Sequence, residues 1–130
     1  MLDASALLFL LERKPAGNKV NELLKEALRG RAEIVMSTIN GGEVYGKLLR
    51  ELGQERAAAA MKSLNPLPVA LVDATLQRAF HAAEIKLKHH LYYGDSFAAA
   101  LAIERKGTLV TGDSDFRRLG HSVPVVWLKP

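Results

Sequence analysis

Residues 94–116 read Gly94-Asp95-Ser96-Phe97-Ala98-Ala99-Ala100-Leu101-Ala102-Ile103-Glu104-Arg105-Lys106-Gly107-Thr108-Leu109-Val110-Thr111-Gly112-Asp113-Ser114-Asp115-Phe116. After a turn at Gly94, an alanine-rich helix is expected to open at Asp95 and run to Lys106, with Gly107 as its stop signal. The small side chains from Ala98 to Ala102 suit close packing of that helix against its neighbours. Thr108 to Thr111 then reads as a short buried strand. Asp113 and Asp115 follow at once. A helix that feeds a strand whose far end carries acids is one unit of an α/β sheet. It also puts carboxylates where such sheets bind ligands.

The alternation continues in both directions. Downstream, Ser114–Leu119 reads as a short turn or helix and Val123–Leu128 as a last strand. Upstream, Met1–Asp3 reads as the tail of a first strand and Ser5–Arg13 as a helix ended by Pro15-Ala16-Gly17. Asn18 is expected to cap a second helix through Arg29, with Val20, Leu23, Leu24, Ala27 and Leu28 on one face. Glu33–Ser37 reads as a strand, and Asn40–Leu52 and Gln54–Ser63 as helices. Val69–Val72 reads as another strand, with Asp73 capping a helix toward His89. Strands alternating with helices predict a three-layer α/β/α fold with a parallel, roughly five-stranded sheet. With neither a repeat nor a linker, residues 1–130 are expected to form a single domain.

Composition narrows the chemistry. The chain has 130 residues, 48% of them hydrophobic, a net charge of +4 and no cysteine. Disulfides and thiolate metal sites are therefore excluded, and a reducing cytoplasm is the expected compartment. The longest apolar run, Ala4–Leu11, is far short of the roughly 20 residues that a membrane helix needs. No signal peptide or membrane association is expected.

Five acids occupy loci that one sheet edge would bring together. Asp3 follows the first strand, Glu43 lies just inside the helix after the second, Asp95 opens its helix, and Asp113 and Asp115 follow Thr111. Each has an ordinary alternative. Asp3, Asp95 and Asp113 all suit helix N-caps, and Asn40-Gly41-Gly42-Glu43 suits a capping box. Coincidence is harder to sustain for the set, which holds four of the five aspartates in the chain. Two carboxylates about 4 Å apart repel by about 4 kcal/mol at an effective dielectric near 20, so a converged set needs protons or cations. All-oxygen donors point to Mg²⁺ or Mn²⁺. Such ions activate water and stabilise the leaving oxygen of a phosphodiester. Outside these acids, nine Asp and Glu face 18 Lys and Arg. An acidic spot on a basic surface suits an enzyme that holds cations at one point and a phosphate backbone around it.

Taken in order, Asp3-Ala4-Ser5-Ala6-Leu7-Leu8, Ser37-Thr38-Ile39 through Glu43-Val44, Gly94-Asp95-Ser96-Phe97-Ala98 and Thr111-Gly112-Asp113-Ser114-Asp115-Phe116 resemble the PIN domain. The form they resemble is the short, single-domain one of the VapC toxins from toxin–antitoxin pairs. The resemblance implies a five-stranded parallel sheet and Mg²⁺- or Mn²⁺-dependent endonucleolytic cutting of RNA. Asp3, Glu43, Asp95 and Asp113 match the family's four acids and Asp115 an auxiliary one. Ser5 and Thr111 match hydroxyl positions that order the site. A homodimer and a cognate antitoxin are implied as partners. Only Met1 and Leu2 precede Asp3, where the family has a longer strand, so Asp3 is expected to be loosely held. Gly41 and Gly42 are expected to leave Glu43 mobile.

Arg117 and Arg118 stand where they would meet RNA phosphates, or simply line a solvated loop. Lys47, one turn after Glu43, would touch the site or pair with that acid. Lys86, Lys88, His89 and His90 form a basic helix end that suits the macrodipole. Tyr92 and Tyr93 could stack on bases but suit packing next to Gly94 or a dimer contact better, and Trp127 suits the core. Two other readings stay open. A non-catalytic PIN-like module would bind RNA or protein without cutting. A phosphotransfer enzyme would want Asp-x-Asp at the first strand, where Ser5 stands instead.

Overall fold

In the computed structural model, which describes residues 1–129, three residues at the start of the chain join the two halves of the sheet. β1 (Ile34–Ser37) pairs in parallel with β2 (Val69–Val72), and β3 (Leu109–Thr111) with β4 (Val125–Trp127). Between these ladders, Leu2 forms a parallel bridge to Val110. Its N–H donates to the Val35 carbonyl at 3.0 Å, and the Val110 N–H donates to the Met1 carbonyl at 2.8 Å. The order across the sheet is therefore β2, β1, Met1–Asp3, β3, β4. The expected first strand is reduced to one bridge, but it lies in the middle of the sheet and is backed on both sides.

Side-chain alternation sorts the layers. Met1, Val35, Val72 and Leu109 join one apolar cluster, with α5 (Leu76–His89) and α6 (Tyr93–Glu104). Leu2, Ile34, Met36 and Val110 point the other way, into a second cluster with α1 (Ala4–Leu11), α2 (Gly17–Leu28), α3 (Thr38–Leu52) and α4 (Gln54–Lys62). The result is the expected α/β/α sandwich. Residues Ser96 to Ala102 of α6 are all buried, because small side chains let the helix sit close to the sheet and to α5.

Several helix starts differ from expectation. α2 begins at Gly17 without a side-chain cap, and Asn18 lies inside it. A Cβ on Gly17 would come within 2.7 Å of the Phe9 carbonyl oxygen, so the glycine lets α1 and α2 turn tightly. α3 begins at Thr38, with the Ser37 hydroxyl accepting the Ile39 N–H at 3.2 Å. Glu43 is therefore past the first turn, and no capping box forms. Thr75, not Asp73, caps α5. α6 begins at Tyr93, so Gly94 is helical and Asp95 sits within the first turn instead of capping it. At the other end of α6, Lys106 takes the left-handed position (φ 51°). Gly107 then donates to the Ala102 carbonyl at 2.9 Å.

Candidate active site

Asp3 is held firmly by a network that no single element contains. It is 3% exposed. Its Oδ1 accepts from the Ser5 hydroxyl at 2.7 Å and from the Ala6 N–H at 2.9 Å, which caps α1. Its Oδ2 accepts from the Thr111 hydroxyl. Each hydroxyl has one proton and gives it to Asp3. Each then accepts a backbone N–H from the acidic loop, Gly112 to Ser5 and Asp113 to Thr111, both at 2.9 Å. The short first strand therefore does not loosen Asp3: these donors and the two flanking ladders replace the missing length. Burial pushes the Asp3 carboxyl above its ordinary range, its three hydrogen bonds pull it back, and the Asp113 charge adds to the rise.

Asp113 caps the short 3-10 helix Ser114–Leu119 through its Oδ1, which accepts the Asp115 N–H at 2.9 Å. That turn aims Asp113 and Asp115 toward the α6 N-terminus. One carboxylate oxygen from each of Asp95, Asp113 and Asp115 lies within 4.8 Å of the other two. Among the described residues, these three form the set of acids or histidines so spaced, and Asp3 and Glu43 stand outside it. Burial, then the charges of Asp113, Glu43, Asp3 and Asp115, push the Asp95 carboxyl up to about 7. Three hard oxygen donors that repel one another at this spacing fit a small divalent cation.

Glu43 is fixed from the side by two residues that sequence reasoning missed. Asn40, 1% exposed, donates from Nδ2 to Glu43 Oε1 at 2.7 Å and to the Gly94 carbonyl at 3.0 Å. Both partners are acceptors, so the amide orientation is set, and Asn40 Oδ1 stays buried without a donor. A Cβ on Gly94 would collide with the Glu43 carboxylate. The glycine thus makes room for that group against the first turn of α6. The i,i+3 spacing of Asn40 and Glu43 was a usable signal, but only for a helix known to start at Thr38.

The basic residues spread out. Lys47 Nζ lies 3.4 Å from Glu12 and 3.8 Å from Glu51, and so pairs away from Glu43. Arg118 donates from Nη1 to the His90 carbonyl at 2.8 Å and approaches Asp115 at 4.0 Å. Arg117 lies over the ring of Trp127, 4.8 Å from its centroid. Trp127 is 37% exposed, not a core residue, because β4 is the end strand of its ladder.

This fold is shared with solved structures of low sequence identity. Aligned with a chain of VapBC2 from Rickettsia felis, solved bound to a promoter DNA fragment, the TM-score is 0.77 at 19% identity, covering 99% of this chain and 98% of that one. A chain of the DNA-bound VapBC from Salmonella typhimurium gives 0.75 at 21% identity, over 97% and 95%. The sarcin-ricin-loop-cleaving toxin VapC20 of Mycobacterium tuberculosis gives 0.69 at 21% identity, over 99% and 98%. No curated protein sequence matches the chain. The sequence model of the PIN domain matches residues 1–122, a span that holds all five acids and the strands that seat them, and the chain belongs to the PIN domain family.

Proposed function

We propose that this protein is a divalent-metal-dependent endoribonuclease, acting as the toxin of a toxin–antitoxin pair. The observation that carries this is the convergence of Asp95, Asp113 and Asp115 within 4.8 Å, beside Asp3 and Glu43. Asp95, Asp113 and Asp115 would hold the ion, Mg²⁺ or Mn²⁺. When bound, such an ion supplies an activated water and charge compensation for a departing phosphodiester oxygen.

The chain's own residues prepare that site. With its carboxyl raised to about 7, Asp95 is partly protonated near neutral pH while the cluster is uncompensated, and a bound cation would favour its carboxylate. Asp3, locked by Ser5 and Thr111, keeps the Gly112–Asp113 backbone in register. Glu43, seated by Asn40, adds negative charge from the α3 side. The surplus of Lys and Arg beyond the acids attracts the RNA backbone, with Arg117, Arg118 and Lys47 as candidate phosphate contacts.

One PIN-like domain, residues 1–130, carries the whole activity in this reading, and its setting is the cytoplasm. Among the described residues, no helix is long and apolar enough to cross a membrane. A cognate antitoxin is the inhibitor, a proposal supported by the similarity to VapBC structures. A homodimer is the expected assembly. Leu76, Phe80 and Leu87 form an exposed apolar stripe on α5 suited to a second copy.

The test is cleavage of structured RNAs with Mg²⁺, Mn²⁺ or EDTA, for the parent and for Asp95→Asn, alongside calorimetric cation titration. Metal-dependent cutting lost in the variant is expected. Intact RNA in every condition, with no cation bound, would sink the enzyme reading. RNA bound but never cut would favour the binding module.

A further inference from the structure

Trp127 is the chain's single tryptophan. It stands on the end strand of the β3–β4 ladder with 37% of its surface in water. A tryptophan used for packing alone is largely covered, because its apolar area is the main gain from burying it. Here the ring is met by a cation, Arg117, at 4.8 Å. No salt bridge among the described residues uses Arg117.

Both residues lie on elements that adjoin the acidic loop. Arg117 is two residues past Asp115 on the same 3-10 helix. Trp127 is the register partner of Thr111, so the two side chains point to one side of the sheet. Thr111 is itself bonded to Asp3. The carboxyl end of the sheet thus runs from Asp3 through Thr111 to the exposed indole.

We propose that Arg117 and Trp127 form a stacking seat for an unpaired nucleobase beside the scissile phosphodiester, in single-stranded RNA. This rests on the ribonuclease reading above. Every base offers a flat face to an indole; with Arg117 over one face of the Trp127 ring, the base would stack on the other, and the guanidinium would donate to the neighbouring phosphate. The exposed cation, on a chain with a basic surplus, favours a polyanion.

Being the only indole, Trp127 is its own probe. The protein carrying Asp95→Asn, which blocks cutting, is titrated in Mg²⁺ at low salt with a mixed-sequence single-stranded oligoribonucleotide of about ten nucleotides. Anisotropy of a 5′-labelled copy reports binding, and indole emission with the unlabelled copy reports stacking. Saturable quenching with the same midpoint as the anisotropy is expected. Adding Trp127→Leu weakens binding about tenfold, while Trp127→Phe weakens it by less than about threefold. The emission titration needs no change at Trp127, so a poorly folding variant does not block the test. Binding by anisotropy without quenching, and unchanged in Trp127→Leu, overturns the stacking seat and leaves the nuclease reading standing. No binding by anisotropy also overturns the stacking seat, while the cleavage and cation test given above decides the nuclease reading separately.

Discussion

The Thr111 hydroxyl donates to the Asp3 carboxylate across 108 positions of sequence, and it also accepts the Asp113 N–H. One side chain therefore ties the first acid of the site to the loop that carries two others. Thr111→Val keeps the branched shape but removes both bonds, leaving a buried charged oxygen and a loop N–H unpartnered. The expected loss is about 3 kcal/mol. Thr111→Ser should retain most of it. Urea denaturation of the pair decides: equal midpoints would mean the hydroxyl does not hold Asp3.

Asp95 makes the metal-free protein sensitive to pH. Its folded carboxyl is raised from the ordinary 3.8 to about 7. A proton bound more tightly in the folded state stabilises that state at low pH, and the contribution is lost as pH rises through about 7. Asp95→Asn removes the charge at every pH. In EDTA it should match the parent near pH 4 and exceed it by about 2 kcal/mol at pH 8, roughly half of what the full shift implies, because the group is partly exposed. With saturating Mg²⁺ the order should reverse, since the parent gains binding energy that the variant lacks. Stability curves that run parallel across this range in EDTA would refute the linkage.

Gly94 and Gly42 should respond to alanine in opposite ways. A Cβ at Gly42 meets open space, so Gly42→Ala should stabilise the helix by roughly 1 kcal/mol. At Gly94 the obstacle is the mobile end of Glu43, which can move aside. Gly94→Ala should therefore leave thermal stability nearly unchanged while displacing Glu43, cutting RNA cleavage at least about tenfold, or about 1.4 kcal/mol of transition-state stabilisation. Full activity in Gly94→Ala would show that Glu43 needs no seat there.

Asn40 supplies the donor side of that seat. Asn40→Asp keeps the shape but sets a second carboxyl against Glu43 Oε1, in place of an amide at 2.7 Å. It should cost about 2 kcal/mol. Asn40→Ala should cost less, because it removes the donor without adding a charge. Urea denaturation of the two variants separates them, and equal midpoints would remove the assigned role.

Much of the site was legible because local chemistry and function coincide. Asp3 and Asp113 are helix caps, as the ordinary reading held, and they also stand at the site: a cap at a strand's carboxyl end faces the ligand edge. Strand β2 was read with its observed bounds, and the 3-10 helix likewise, from apolar runs and turn residues. The start of α3 was not, because Ser37-Thr38-Ile39-Asn40-Gly41-Gly42 holds few strong helix formers and tertiary packing overrides that weakness. Asn40 and Gly94 were illegible for a different reason. Each has meaning only when α3 and α6 are brought side by side, and nothing in either segment alone says that they touch. Trp127 looked like core because an aromatic in a strand usually is. That it stands at an edge is a property of the strand order.

The bridging of Leu2 between Val35 and Val110 has a consequence during synthesis. Leu2 lies in the middle of the sheet, yet its second neighbour there, Val110, is made more than a hundred residues later. Until β3 emerges from the ribosome, Asp3 lacks Thr111, and Asp113 and Asp115 do not yet exist. A nascent chain released early therefore has no assembled acid cluster. On the reading proposed above, a site with this strand order could cut no RNA until β3 and the loop after it have been made.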